Sequence, residues 1–166
     1  MTMSKSQISQ ALDIGQEFLF LDEFHFNSAD DLINQDSASK VKTNSALSGG
    51  GGGVGSYIFL PTPSLSAHFL SKQIVPASLI LESILQNTVL TIYTHFSIPK
   101  GTHALIFKIE MDLKNSVQLN EQIKIVSKIE NISRGIISAT AETHLESKLI
   151  SKANLKYWCP EAGGRK

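Results

Sequence analysis

This 166-residue chain has one cysteine, no excess of charge of either sign and no long apolar run. Cys159 alone can form neither an internal disulfide nor a cysteine-based zinc knuckle, and such a count fits a reducing compartment. Fifteen basic residues balance fifteen acidic ones, which argues against nucleic-acid binding. No stretch reaches the roughly 18 apolar residues typical of a membrane span. Residues 1–10 lack the apolar core of a secretory signal. We therefore expect a cytoplasmic protein without a membrane span.

Polar and glycine-rich composition marks one internal segment. Residues 27–48 are dominated by Ser, Asp, Asn and Lys, and an uninterrupted glycine run follows at 49–53. No Lys-Ser/Thr pair follows the glycines, so they do not form a phosphate-binding loop. We interpret them as a flexible or irregular strand edge. The sequence thus predicts one domain over residues 1–159, with a flexible insertion at about 27–55 and a disordered tail over 160–166.

One long apolar helix and a series of alternating strands dominate the rest of the chain. Pro76 opens the stretch 76–96 at a first helical turn, where its missing N–H costs nothing. Apolar residues cover most of that helix, which predicts burial. A shorter helix or turn is predicted at 8–13. We predict strands at about 17–26, 56–60, 103–113, 121–132, 135–146 and 149–158. This order predicts an α+β domain in which a curved antiparallel sheet wraps around the central helix.

Two titratable residues stand out within this arrangement. His68 ends a Pro- and Ser-rich loop, and Glu82 lies inside the apolar helix, where a carboxylic acid must be paired or neutral. A neutral carboxyl group can act as a general acid, and histidine is the natural base near neutral pH. The helix start at Ala77 and Ser78 offers backbone N–H groups for an oxyanion. These parts suit elimination of water from a 3-hydroxyacyl thioester, with His68 as base and Glu82 as acid.

Polar residues also recur on the helix at a spacing of four. Ser78, Glu82 and Gln86 should share one face, where Ser78 and Gln86 either contact the substrate or solvate Glu82. The other histidines lack metal-ligand spacing, and we interpret them as structural or surface residues. They are His25, His95, His103 and His144. We expect no metal site.

The run HFLSKQIVPASLILESILQ at 68–86 resembles the active-site motif of the hot-dog-fold 3-hydroxyacyl-[acyl carrier protein] dehydratases of fatty acid synthesis. Seven residues fall on the motif positions of that family: His68, Phe69, Ile74, Pro76, Leu79, Glu82 and Gln86. EFLFLDEF at 17–24 resembles the family's first strand, and residues from about 108 to 156 resemble its sheet. The chain departs from the motif at Leu70 and Ser71, which replace Pro-Gly, and at Ala77, which replaces the helix-opening glycine. It looks like a divergent member.

The resemblance implies a hot-dog fold and a catalytic pair of His68 as general base and Glu82 as general acid. The implied substrate-binding residues are Phe69, Pro76, Ala77, Ser78, Leu79 and Gln86. A homodimer or dimer-based oligomer is implied, with His68 of one subunit facing Glu82 of the other. The substrate would arrive on the phosphopantetheine arm of an acyl carrier protein, in fatty acid or specialised polyene or polyketide synthesis. No cofactor is expected.

Two other functions fit the same residues. A hot-dog thioesterase would use Glu82 to activate water. The presence of His68 argues against this alternative, since many hot-dog thioesterases rely on a helix carboxylate alone. A hot-dog subunit that has lost catalysis would bind acyl chains or a partner protein. The substituted glycines of the motif, among them the one at Ala77, and the insertion with the glycine run keep this last alternative open.

Overall fold

A seven-stranded antiparallel sheet carries one long helix on one of its faces. The computed structural model describes residues 1–27, 51–68, 72–99 and 101–163, apart from the side chains of 66–68 and 163. The strands are β1 Thr2–Ser4, β2 Glu23–Asn27, β3 Gly52–Ile58, β4 Leu105–Leu113, β5 Gln122–Ser133, β6 Ile136–Leu145 and β7 Lys148–Trp158, and the helices are α1 Lys5–Leu12, α2 Pro63–His68 and α3 Ala77–Phe96. The strand order is β1-β2-β3-β5-β6-β7-β4. Helix α3 packs against β2, β3, β5 and β6.

Most of the predicted elements are confirmed. Helix α3 begins directly after Pro76, and β4 to β7 agree with the predicted strands to within two residues at each end. The prediction for 17–26 was wrong in its first half, because Gln16–Phe18 forms a 3-10 turn before β2 begins. Strand β1 and helix α2 were not predicted. They have three and six residues, too few for a periodic pattern to show.

Gly52 and Gly53, the last two residues of the glycine run, belong to strand β3 inside the sheet and not to the flexible or irregular edge expected from the sequence. Gly53 and Gly55 lie on the face of β3 that α3 covers, and both are buried. A Cβ atom at Gly53 would collide with Thr91 Oγ1, and one at Gly55 would collide with Asn87 Oδ1. Two strand residues and four helix residues advance by similar distances, about 6–7 Å. Alternate residues of β3 therefore remain opposite every fourth residue of α3. With glycine at these strand positions, the helix approaches the strand closely. Residues 28–50 of the predicted insertion lie outside the described part of the chain.

The helix face turned toward the sheet is polar, although the helix as a whole is apolar. Ser83, Asn87, Thr88 and Thr91 are all fully buried. The hydroxyl groups of the serine and the two threonines donate to carbonyl oxygens of the same helix, as Thr88 Oγ1 does to Ile84 O at 2.8 Å. Small hydroxyl side chains that are satisfied within their own helix allow the close approach to β3 at little cost. Asn87 instead donates across to Gly53 O and Ser127 Oγ.

Both ends of the described chain are tied to the sheet. Strand β1 pairs with β2, with Met3 opposite Phe24. At the other end, Pro160–Gly163 forms a 3-10 turn, and the Cys159 amide donates to Gly135 O at 2.8 Å. This turn falls within the tail that was expected to be disordered, and residues 164–166 lie outside the described residues. Within the described ranges, no helix is long and apolar enough to cross a membrane.

Candidate functional site

The start of helix α3 is held in place by a short antiparallel contact. The Val75 amide donates to Val117 O, and the Leu119 amide donates to Gln73 O, both at 2.8 Å. Pro76 is the N-cap residue and is buried, whereas Ala77 and Ser78 are exposed. No side chain caps this end, and the amides of those two residues donate no hydrogen bond to any described residue. These N–H groups and the positive end of the helix dipole can therefore stabilise a negative charge.

Glu82 lies about one and a half turns into the helix, with its carboxylate held by Gln86. Gln86 Nε2 donates to Glu82 Oε1 at 2.9 Å, which confirms the predicted shared face. The same nitrogen donates to Phe18 O at 2.8 Å, and the Phe20 amide donates to Gln86 Oε1 at 2.8 Å. Gln86 is only 4% exposed. Both of its amide protons are used within the chain, which favours a positioning role over the substrate contact that the motif implies.

Replacing Gln86 with methionine should destabilise the fold and release Glu82. Methionine fills a similar volume but leaves the Phe20 amide and the Phe18 carbonyl without their partner, at a cost of about 1–3 kcal/mol. Urea unfolding followed by circular dichroism measures this loss. Gln122→Met, on an exposed position of β5, is the matched control and should leave the unfolding free energy unchanged. An unchanged value for Gln86→Met would show that the observed hydrogen bonds do not hold this segment.

Aromatic side chains form a wall beside this hydrogen-bond group. The Phe20 ring packs edge-on against Tyr57 at 5.8 Å between centroids and stacks on Phe59 at 6.2 Å. Tyr57 and Phe59 also meet edge to face at 4.8 Å. The Phe18 side chain, by contrast, is largely exposed, although the backbone carbonyl of the same residue accepts the hydrogen bond from Gln86. Phe18 and Phe20 were not predicted as site residues, because the pattern of their run indicates only a strand.

Tyr157 approaches the same site from the sheet. Burial raises the pKa of its phenol, an effect that the Thr88 hydroxyl reduces and the Glu82 carboxylate reinforces. The Thr88 hydroxyl already lies 2.8 Å from Ile84 O and 2.9 Å from Ser127 Oγ. Among the described residues, the Tyr157 hydroxyl makes no hydrogen bond of good geometry. Tyr157 is therefore a neutral, buried hydrogen-bond donor near Glu82. The alternation of buried and exposed residues along β7 could have indicated that its side chain is buried.

The histidine of the predicted pair is only partly described. The backbone of His68 ends helix α2, but its side chain and all of Phe69 lie outside the described residues. The pairing of His68 with Glu82 therefore stays a prediction. Leu79 packs against the core from the first turn of α3, close to Pro76. In the described part of the chain, no group of three or more His, Cys, Asp or Glu residues is placed to hold a metal ion.

Comparisons with known proteins give a likeness in structure only. No protein-family model matches the sequence, and no curated protein matches it either. A hypothetical thioesterase of Streptococcus pneumoniae TIGR4, solved with coenzyme A, matches with a TM-score of 0.51 and 9% identity, over 81% of this chain and 85% of that one. The fold is a hot-dog fold.

Two other solved hot-dog structures show the same likeness. Zebrafish thioesterase superfamily member 2 matches with a TM-score of 0.51 and 13% identity, over 69% of this chain and 78% of its own. A Streptococcus mutans UA159 protein, solved bound to acetyl-CoA, gives 0.54 and 12% over 65% and 80%. The predicted α+β architecture is thus confirmed. Membership of the dehydratase family stays a prediction, because likeness at these identities shows the fold alone.

Proposed function

We propose that this hot-dog protein hydrolyses acyl thioesters. The observation that carries the proposal is the Glu82 carboxylate, which Gln86 holds at 2.9 Å within the second turn of a helix whose start is uncapped. A carboxylate so placed can act as a general base toward water, and free amides at a helix start can stabilise the oxyanion of the tetrahedral intermediate. The thioesterases among the structures with this fold support the same chemistry.

The proposed reaction needs only water and the thioester. Glu82 takes a proton from water as the water oxygen bonds to the thioester carbonyl carbon. The amides of Ala77 and Ser78 stabilise the resulting oxyanion. When the intermediate collapses, the carbon–sulfur bond breaks and the thiolate leaves with the proton that Glu82 had taken. The products are a free acid and a free thiol.

An acyl-CoA is the substrate class that we propose first. Two of the structures with this fold were solved with coenzyme A or acetyl-CoA bound. A phosphopantetheine arm on a carrier protein presents the same thioester chemistry, so an acyl carrier protein remains a proposed alternative donor. We propose that the exposed side chain of Phe18, a residue whose backbone carbonyl binds Gln86, contacts the acyl group.

Dehydration of a 3-hydroxyacyl thioester is the second candidate. The specific observation in its favour is the motif spacing of His68, Pro76 and Glu82, which matches the dehydratases. In that reaction His68 takes the proton next to the carbonyl, and Glu82 protonates the departing hydroxyl. The site would then be shared by two subunits, with each supplying one residue of the pair.

One experiment separates these reactions. The purified protein is incubated with acyl-CoA, 3-hydroxyacyl-CoA and 3-hydroxyacyl carrier protein of several chain lengths. Released thiol is measured by a colorimetric reagent, and the acyl products are measured by mass spectrometry. Free thiol with free acid is the expected result. An enoyl thioester without free thiol would assign dehydration instead. No product from any substrate would refute both reactions and favour a binding subunit.

His68→Ala distinguishes the two mechanisms within the protein itself. Hydrolysis by Glu82 does not use the imidazole, so kcat should change by less than about threefold, whereas loss of a general base from a dehydratase costs about 10²–10⁴-fold. The steady-state rate of each reaction is the measurement. His103→Ala, at an exposed position just before β4, is the matched control. A hundredfold loss of hydrolysis in His68→Ala alone would contradict the proposed mechanism.

A further inference from the structure

A cavity of about 460 Å³ lies between the segment β1–α1 and the C-terminal half of helix α3. Its wall on α3 begins at Leu90, one turn beyond Gln86 and about 12 Å along the helix axis from Glu82. Gln86 itself is buried and hydrogen-bonded to the backbone of Phe18 and Phe20. The volume is in the range of cavities that bind small molecules. An occupant would therefore lie apart from the proposed site.

Apolar residues form more than half of the wall of this cavity. Leu90 is fully buried at its base, and two methionines contribute from β1 and the residue before it. Methionine side chains are flexible and adapt to the shape of an apolar neighbour. The wall therefore favours an occupant with an apolar body. Its apolar residues are Met1, Met3, Ala11, Leu90, Ile98 and Pro99.

Among the described residues, no side chain of the wall carries a charge. The ammonium group of Met1 donates to Phe26 O at 3.1 Å. Helix α3 ends at the cavity, where Ser97 caps it in the left-handed conformation, so the negative end of the helix dipole disfavours a carboxylate. An ammonium group would lose water without finding a carboxylate among the described lining residues. The wall thus selects an uncharged molecule.

One buried hydroxyl group in the wall lacks a hydrogen-bond partner. Thr88 and Thr91 each donate to the carbonyl oxygen four residues earlier in α3, both at 2.8 Å. Thr94 Oγ1 is buried too, but it makes no hydrogen bond with any described residue. An unsatisfied buried polar atom is costly, and a hydroxyl or amide group of an occupant can satisfy it. The occupant should therefore carry one such group.

We propose that this cavity binds a small uncharged amphiphile. Its apolar body lies against Met1, Met3 and Leu90, and its hydroxyl or primary amide group hydrogen-bonds with Thr94 Oγ1. A medium-chain alcohol is the simplest molecule of this class. The site goes beyond the proposed function, because no step of thioester hydrolysis uses it, and its occupation can be measured without turnover.

The methionines provide a direct test, because the chain has three of them. Met1 and Met3 line the cavity, whereas Met111 lies on β4 and is the internal control. The protein is labelled at its methionine methyl groups and titrated with octanol, and NMR spectra are recorded. The Met1 and Met3 signals should shift and saturate, and the Met111 signal should not move. Octanoate and octylamine should bind about tenfold more weakly or worse, because both are charged.

Two variants test where octanol binds. Thr94→Val keeps the shape of the side chain but removes its hydroxyl group, and it should weaken octanol binding about three- to tenfold. Thr102→Val, outside the wall, is the matched control and should bind octanol as the original protein does. Ala11→Phe fills the cavity and should abolish the shifts. Circular dichroism confirms the fold of each variant. If Ala11→Phe does not fold, the comparison of the two valine variants still decides.

The outcomes separate this site from the proposed function. Saturable shifts confined to Met1 and Met3, with weaker binding in Thr94→Val, would support the site even in a protein that turns over no thioester. The absence of any shift, or an equal shift of Met111, would overturn it. Octanoate binding as tightly as octanol, or an unchanged affinity in Thr94→Val, would overturn the proposed ligand class. Thioester hydrolysis by such a protein would leave the proposed chemistry in place.

Discussion

Gly53→Val is expected to abolish the native fold or to lower its stability by more than about 3 kcal/mol. A Cβ atom at this position would collide with Thr91 Oγ1 and would lie 2.6 Å from Phe24 Cε2. Thr91 belongs to the buried core of α3, and Phe24 is fully buried on β2. Neither can move without separating the helix from the sheet, because interiors are close-packed. A loss of this size is a large part of the stability of an ordinary domain.

Urea unfolding of a graded series tests this expectation. Gly53→Ala should show a smaller loss than valine, and Thr91→Ala added to it should recover part of that loss, because it removes one of the two obstructing groups. Val54→Ile adds a methylene group at the next position of β3, on the opposite face of the sheet, and is the matched control. A Gly53→Val protein that unfolds at the wild-type urea concentration would show that α3 does not pack closely on β3.

Glu82→Gln should reduce kcat for thioester hydrolysis by about 10²–10⁴-fold. The amide has nearly the shape of the carboxylate, and its carbonyl oxygen can still accept the hydrogen bond that Gln86 Nε2 donates. It cannot, however, accept a proton from water. The fold should therefore survive while the chemistry is lost.

The measurement pairs the rate of thiol release with urea unfolding of the same sample. Glu23→Gln, on an exposed position of β2, is the matched control and should keep full activity. If Glu82→Gln hydrolyses acyl-CoA at more than half of the wild-type rate, Glu82 is not the general base. If activity and stability fall together, the role of Glu82 is structural, within the group that Gln86 holds.

The contacts of Gln86 link these two experiments. Through one side chain, the carboxylate on α3 is fixed relative to Phe18 and Phe20, in the segment between α1 and β2. The glycine positions of β3 set the depth at which α3 lies on the sheet. A change at either place alters the position of Glu82, although neither place contacts the substrate in the proposed mechanism. We therefore expect variants at Gln86 to lower kcat more than they raise KM.

Local periodicity was sufficient to predict β5, β6 and β7, because inward and outward residues alternate cleanly there and their turns are short. The helix α3 was equally clear, because Pro76 stands at its start and apolar residues cover most of its twenty-residue length. The shared face of Glu82 and Gln86 follows from the helical repeat alone. These features depend only on neighbours in sequence.

The sequence by itself therefore determined the α+β class, the central helix and the position of Glu82 on it. Only the tertiary structure showed that the glycines of β3 face Asn87 and Thr91. It also showed that Gln86 binds Phe20 and Phe18, which precede it in the sequence by 66 and 68 positions. Likewise, only the strand order placed β4 at the open edge. The physical reason is that these contacts join segments distant along the chain. Their geometry depends on the distance between the helix and the sheet, and no local sequence pattern encodes that distance.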